Sequence, residues 1–350
     1  MLLSKRSKST VGLDVGANSV KLVKLDRDKG GYSVSALGIR ELPPEAIVSD
    51  EIKDREAVIF NIQSLIDEVD PKIRNVVVSI SGNGVITDKF MIDKKSGSEA
   101  EQAILFEAEQ RSPFDVEDVT LDHHVIRIDE ETNKAEILLV AARKEFLNSY
   151  LELLVDSGLQ PAIVDIDAFA LMNAYAFNYD IDPNRVTVLV NVGYDVTNVL
   201  YLLGGYYHST RDVSIGTREI YNAIQKEFRL NAELASKAIK GEMKDSIDQD
   251  MLKATIITSS DELISGLELA FSYFKNQAKI DKVDWMVLAG GGALVPFLPE
   301  YLQSKLSIPL EILNPLRNID YDPEMFQYLE PEKIAPLLTV PVGLAMRKVR

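Results

Sequence analysis

Two segments of this chain, far apart along its 350 residues, are written to one design. Val11–Lys21 reads as an apolar strand, a tight turn at Asp14-Val15-Gly16, and a second strand. Leu189–Thr197 repeats the pattern with Asn191-Val192-Gly193 at the turn. A third glycine element, Gly290-Gly291-Gly292-Ala293, follows the apolar run Trp285–Ala289. A single turn of this kind is usually only a hairpin. Two of them, each opening a round of α/β structure and followed by a glycine run after a buried strand, point to two lobes of similar build.

The chemistry of such turns is specific. Glycine and small polar residues expose backbone N–H groups that can cradle phosphate oxygens. An aspartate at the strand end, here Asp14, can hold Mg²⁺ through water, because magnesium keeps much of its hydration shell. Lys21 adds a point charge against a phosphate. The candidate ligand-binding residues are therefore Asp14, Gly16, Asn18, Ser19 and Lys21 at the first turn. Asn191, Gly193 and Thr197 are their counterparts at the second, and Gly290, Gly291 and Gly292 at the third. The triple glycine lets a nucleoside approach the backbone. No G-x-x-x-x-G-K-[ST] is present, which excludes a P-loop.

Periodicity fills in the rest. Tyr32–Arg40 reads as a strand, and Arg55–Val69 as a helix with Val58, Ile59, Ile62, Leu65, Ile66 and Val69 on one face. Asn75–Ile80 is a short β-branched run of the kind found in buried strands. From Val85 to about Ser157 the texture changes to a helix from Glu99, strands at Thr120–Ile128 and Ala135–Ala142, and a helix at Lys144–Leu154. That block reads as an insertion. The expected division is a first lobe of residues 1–84, 158–185 and 335–350, an inserted subdomain of 85–157, and a second lobe of 186–334 with a smaller subdomain at about 214–255.

Composition removes several functions. There are no cysteines, so thiol catalysis, thiolate zinc sites and disulfides are out. A formal charge of −16 argues against sequence-independent binding of nucleic acid. The start carries Lys5, Arg6 and Lys8 without the apolar core of a signal peptide. That cluster reads as a solvated terminus or as a basic contact with an anionic membrane. No stretch has the length and hydrophobicity of a membrane span, so a cytoplasmic protein is expected. His123 and His124 are adjacent on a strand and point to opposite faces, which disqualifies them as a metal pair.

The ordered turns resemble those of the superfamily of actin, DnaK-type chaperones and sugar kinases, an α/β fold of two lobes with a nucleotide between them. The connecting helices of that fold look like Asp165–Ala174 and Pro341–Met346. Within it, Arg111-Ser112-Pro113-Phe114-Asp115, Leu121-Asp122, Leu139–Glu145 and Val164–Ala170 resemble the PilM-type pilus assembly family, itself related to FtsA. FtsA-like proteins carry a C-terminal membrane helix after a linker, and the sequence ends at Arg350 without one, so the PilM-type reading is preferred.

The resemblance implies ATP or ADP with Mg²⁺ in the cleft. It further implies a scaffold at the inner membrane that binds the cytoplasmic tail of a PilN-like pilus protein. Membrane association would come through that partner, and homo-oligomerisation is left open. It also exposes departures. Asn191 stands where the family has an aspartate. Ser236–Lys240 looks like the family's Ala-Glu-x-x-Lys nucleoside motif, with Lys240 in place and Lys237 where the glutamate belongs. The register starting at Ala232-Glu233 instead puts Ser236 at the lysine position. Hydrolysis is therefore expected to be weak or absent. Asp165 or Asp167 could orient a water, or could serve only as helix-start carboxylates.

Overall fold

A computed structural model describes residues 8–49, 51–111, 114–326 and 330–349. Lys5 and Arg6 of the basic start, and Ser112 and Pro113 of the family motif, lie outside the described residues. The chain divides into two compact units: residues up to Gly82 with those from Leu154 onward, and Asn83–Leu153.

The larger unit holds two five-stranded sheets of the same topology. In the first, β1 (Lys8–Val15), β2 (Ser19–Arg27) and β3 (Tyr32–Glu41) form an antiparallel meander. A two-residue ladder follows, β4 (Ile47–Val48) against β5 (Glu51–Ile52). Helix α1 (Arg55–Val69) comes next, and then β6 (Asn75–Ile80), which lies parallel to β1. Helix α1 starts because the Asp54 side chain accepts the Ala57 N–H at 3.0 Å, and it buries Val58, Ile62, Leu65 and Ile66, as its period dictates.

The smaller unit is a three-stranded sheet ordered β7 (Val85–Asp93), β9 (Lys134–Arg143), β8 (Val119–Asp129), with helix α2 (Ser98–Arg111). Phe90, Ile92, Ile104, Ala108, Ile137 and Leu139 make its core. His123 and His124 are both exposed on β8. Helix α3 (Lys144–Asp156) leads out of it to β10 (Gln160–Ile166), which is parallel to β6 and completes the first sheet. Helix α4 (Asp167–Asn178) then connects the two sheets in sequence.

The second sheet repeats the plan. Strands β11 (Val186–Val192), β12 (Thr197–Leu203) and β13 (Tyr206–Val213) form the meander. Helices α5 (Arg218–Glu227), α6 (Ala232–Ile239), α7 (Gln249–Ser259) and α8 (Asp261–Ala278) follow. Strand β14 (Trp285–Ala289) runs parallel to β11, and after α9 (Leu298–Leu306), β15 (Leu310–Ile312) extends the sheet beside it. The core beneath this sheet gathers Val188, Val190, Tyr201, Leu267, Phe271 and Phe274, with the Tyr201 and Phe274 rings stacked at 4.0 Å. A short helix α10 (Pro331–Ile334) precedes α11 (Thr339–Ala345), which returns to the first sheet.

The expected connecting helices need adjustment at both ends. Asp165 belongs to strand β10, and the helix begins at Asp167. The last helix starts earlier than expected, at Thr339, and stops at Ala345.

Helix α11 lies directly on its neighbours because its contacts lack side chains. A Cβ on Gly343 would fall 1.8 Å from the carbonyl oxygen of Ala170 in α4, and one on Gly12 in β1 would fall 2.0 Å from that of Pro341. Neither obstacle is a flexible side chain, so the backbones themselves would have to part. Gly343→Ala is expected to cost about 3 kcal/mol or more, the upper part of the range for overpacking. Urea unfolding of the purified protein measures it, and an unchanged midpoint would contradict this packing.

Candidate functional site

The two turns predicted to be equivalent close identically. Gly16 N–H donates to the Ser19 carbonyl at 3.1 Å, and Gly193 N–H to that of Val196 at 3.0 Å. At the first turn Lys21 is held on Asp14, Nζ to Oδ2 at 2.9 Å, with its tip also 3.4 Å from the Ser19 carbonyl. Both side chains are largely covered, at 12% and 15% exposure, so the pair sits in a partly desolvated wall where charge counts for more than at the surface. Ser19 is buried and Asn18 exposed, the latter accepting the Leu42 N–H on its carbonyl.

At the second turn Asn191 does not stand free. Its amide donates to Asn198 Oδ1 at 2.9 Å, and Asn198 in turn donates to Asp212 Oδ1 at 3.0 Å. Asp212 Oδ2 accepts the backbone N–H of Gly82, at the exit of β6, at 2.6 Å. The hydroxyl of Thr197 is committed to the Ile215 carbonyl at 2.7 Å and is fully buried. Its role is to fasten the strand, and it presents no free group to a ligand.

The third element divides by function. Gly290 has φ of +78°, and a Cβ there would meet Asn191 Oδ1 at 2.5 Å, while one on Gly292 would meet the Val192 side chain at 2.4 Å. These two glycines allow the loop to pack on β11. Gly291 is the least crowded of the three: a Cβ there would meet Leu337 Cδ2 at an ordinary contact distance of 3.7 Å. The Gly290 N–H donates to the Pro336 carbonyl at 3.0 Å, tying this loop to the segment leading into α11.

The two candidate water-orienting carboxylates part company. Asp165 lies in β10 with Oδ1 accepting the Ile166 N–H at 2.9 Å. Arg347 Nε stands 3.0 Å from Oδ2 as a charge contact without hydrogen-bond alignment, which leaves that oxygen unbonded. Burial raises its pKa, and Arg347 works against the rise. Asp165 is a structural group of the first sheet. Asp167 opens α4 and keeps some access to solvent, although protein surrounds it in depth. Burial first, then the charge of Asp14, pushes its carboxyl up to about 7. Ser79 and Ser81 oppose the shift, and Asp212 adds to it. Asp14 from the first sheet and Asp212 from the second therefore both act on the carboxyl of Asp167.

Lys240 reaches across the sheets to Glu41, and Lys237 pairs with Glu233 one helical turn away at 2.7 Å. Beside them is a cluster that sequence reasoning missed. Arg218 holds Asp195 with two bonds, at 2.5 and 2.8 Å, and also reaches Glu45 at 2.7 Å and the Ile47 carbonyl at 3.2 Å. Asp195 accepts the Ser49 N–H at 2.9 Å as well. A bidentate, partly buried pair of this kind is stronger than an exposed one, and it joins the second turn to the first lobe. Nothing local in the sequence marks it, since its partners are drawn from three separated segments.

Residues 12–349 match the family model for the type IV pilus assembly protein PilM. The chain belongs to that family. Among PilM's relatives, the cell division protein FtsA of Bacillus subtilis strain 168 is 20% identical, over 87% of this chain and 78% of its own length. A solved PilM–PilN type IV pilus biogenesis complex superposes with a TM-score of 0.84 at 26% identity, covering 97% of this chain and 98% of that one. MreB5 of Spiroplasma citri, solved with ADP bound, superposes at 0.51 with 11% identity, over 96% and 94% of the two chains, which is a likeness of fold. The fold is the actin-like one. Among the described residues, no helix is long and apolar enough to cross a membrane.

Asp167 supplies a pH signature. Its folded-state pKa lies above the ordinary carboxyl value, so the native protein holds this proton more tightly than the unfolded chain does. The group is without penalty below about pH 4 and disfavours the folded state increasingly as pH rises toward 7. Asp167→Asn is expected to raise the melting temperature at pH 8, with the gain shrinking to nothing near pH 4. Thermal melts of both proteins across that interval check it, and a gain that grows toward acid would contradict the assignment.

Proposed function

We propose that the chain is a scaffold of a pilus assembly complex that binds the cytoplasmic tail of a PilN-like inner-membrane protein. In this reading it carries an adenine nucleotide between its two sheets and hydrolyses it slowly or not at all. The observation that carries the partner is the superposition, along 97% of this chain with a TM-score of 0.84 and 26% identity, on a PilM–PilN complex. In this reading the protein works at the cytoplasmic face of the inner membrane, held there by its partner.

The residues of the cleft fit a nucleotide. The closed turns at Gly16 and Gly193 leave backbone free of side chains at the gap, Lys21 offers a cation, and Gly291 leaves room for a ring. Such a nucleotide would bring a triphosphate or diphosphate chain and its hydrated magnesium. Lys21 would balance phosphate charge, and Asp14 would meet the cation through water. Among the described residues, no three acidic or histidine side chains are close enough to hold a metal directly, which suits a hydrated ion. Lys21 already rests on Asp14, and its three N–H donors leave it able to reach a phosphate oxygen as well.

One observation favours a second reading, an active ATPase. The carboxyl of Asp167, raised to about 7, is poised to accept a proton from water at neutral pH. Against it stand Asn191, neutral and already hydrogen-bonded, and Lys237, which cannot accept from a ribose hydroxyl. Loss of one preorganised polar group in such a site typically lowers a rate by about 10²–10³.

Three measurements on the purified full chain decide between these readings. Calorimetry is expected to detect ADP and ATP in the presence of magnesium, and no heat at millimolar nucleotide would end the nucleotide reading. A synthetic PilN-type tail peptide is expected to bind, while its scrambled version does not; equal signals would remove the partner. Phosphate release is expected to stay near background, and sustained turnover would replace the scaffold with a motor.

A further inference from the structure

The second sheet presents its charge to the cleft in an unexpected place. Asn191, Asn198 and Asp212 are direct cross-strand partners on β11, β12 and β13, so their side chains stand in one row across the sheet. The equivalent row of the first sheet is Asp14, Lys21 and Ile39. In the first sheet the carboxylate is on the strand leading into the turn. In the second that position is an amide, and the carboxylate has moved two strands along.

The row is a hydrogen-bonded relay with a direction. Asn191 donates to Asn198 and Asn198 to Asp212, at 2.9 and 3.0 Å, and Asp212 also accepts the Gly82 N–H. Asn198 is 2% exposed and Asn191 9%, so water cannot substitute for a missing partner. The middle residue decides what the ends can be. An asparagine has one donating and one accepting end, so it can serve a carboxylate on one side only. With Asp212 on that side, a carboxylate at 191 would face the accepting oxygen of Asn198, a buried acceptor against a buried acceptor.

We propose that Asp212 is the anionic residue through which the second lobe meets the hydrated cation of a bound nucleotide. The Asn191–Asn198 pair fixes it there and bars a carboxylate from position 191. The inference rests on the nucleotide reading above for its ligand, and on the relay alone for its geometry. Asp212 keeps some surface exposure where Asn198 has almost none, although protein surrounds it in depth, and its bond to Gly82 ties the second sheet to the segment that leaves β6 of the first. Burial raises its pKa, and Asp167 feels its charge, as expected for a carboxylate in the cleft wall. Asn191→Asp, the obvious repair of the turn, is on this account no repair.

The test is a charge swap. At pH 8, Asn191→Asp alone is expected to lower the melting temperature by about 3–8 °C, the scale set by one buried group left without a partner. Asp212→Asn alone is expected not to lower it, because two amides can reverse and keep every bond while a buried charge is removed. The double variant N191D/D212N is expected to recover most of the loss, since the relay then runs backwards with each donor matched. A double variant no more stable than Asn191→Asp, including the case in which both fail to fold, overturns the relay. Calorimetry of ADP with magnesium and with EDTA supplies the other arm. Asp212→Asn is expected to remove most of the magnesium-dependent gain in affinity, about tenfold, while leaving metal-free ADP binding intact. If the parent binds ADP and Asp212→Asn keeps the full magnesium effect, the assignment of Asp212 fails and the nucleotide reading survives. If the parent binds no ADP at all, the nucleotide reading and the role of Asp212 toward it fall together, whatever the swap does to stability.

Discussion

The molecule is organised around a place where backbones touch with nothing between them. Helix α11 rests on α4 through Gly343 and on β1 through Gly12, each at a separation that a single methyl group would prevent. Much of the candidate site is attached to those elements. Strand β1 carries Asp14 next to its end and leads into the first turn, α4 begins with Asp167, and the segment before α11 accepts the N–H of Gly290 from the third glycine loop. Close packing of rigid pieces transmits displacement instead of absorbing it. A shift of α11 would therefore be felt at β1, at α4 and at the third glycine loop.

Charge then closes the mouth of the same gap. Arg218 grips Asp195 and reaches Glu45 and the Ile47 carbonyl, while Lys240 meets Glu41 nearby. The two devices differ in kind. The glycine contacts are steric and insensitive to solvent composition. The ionic ones lie partly exposed, Glu45 at 73% and Glu41 at 53%, and weaken in salt. The two sheets are thus held by steric contact around α11 and by ion pairs at Arg218 and Lys240.

Much of this was legible in the sequence because glycine and strand periodicity are local signals. The paired turns, the two α/β rounds and the texture change near Val85 need only a window of residues to be seen. Asp167 was singled out, but its separation from Asp165 depended on where β10 gives way to α4, a boundary of two residues. Thr197 looked like a ligand contact because of its place after the turn, and its hydroxyl proves to be taken by Ile215, whose proximity no spacing rule encodes. Asn198 and Asp212 were invisible for the same reason. A polar residue inside an apolar strand is a warning that it has a partner, but the partner is set by strand register, and β12 and β13 slip by one residue between Tyr201 and Leu202.

The two turns are closed by the same bond, glycine N–H to a carbonyl, and neither bond involves a side chain. Side-chain chemistry at the turns can therefore drift while their shape is retained. That separates inheritance of form from inheritance of catalysis. A turn closed by its backbone keeps the same shape with an aspartate before it, as at Asp14, or an asparagine, as at Asn191.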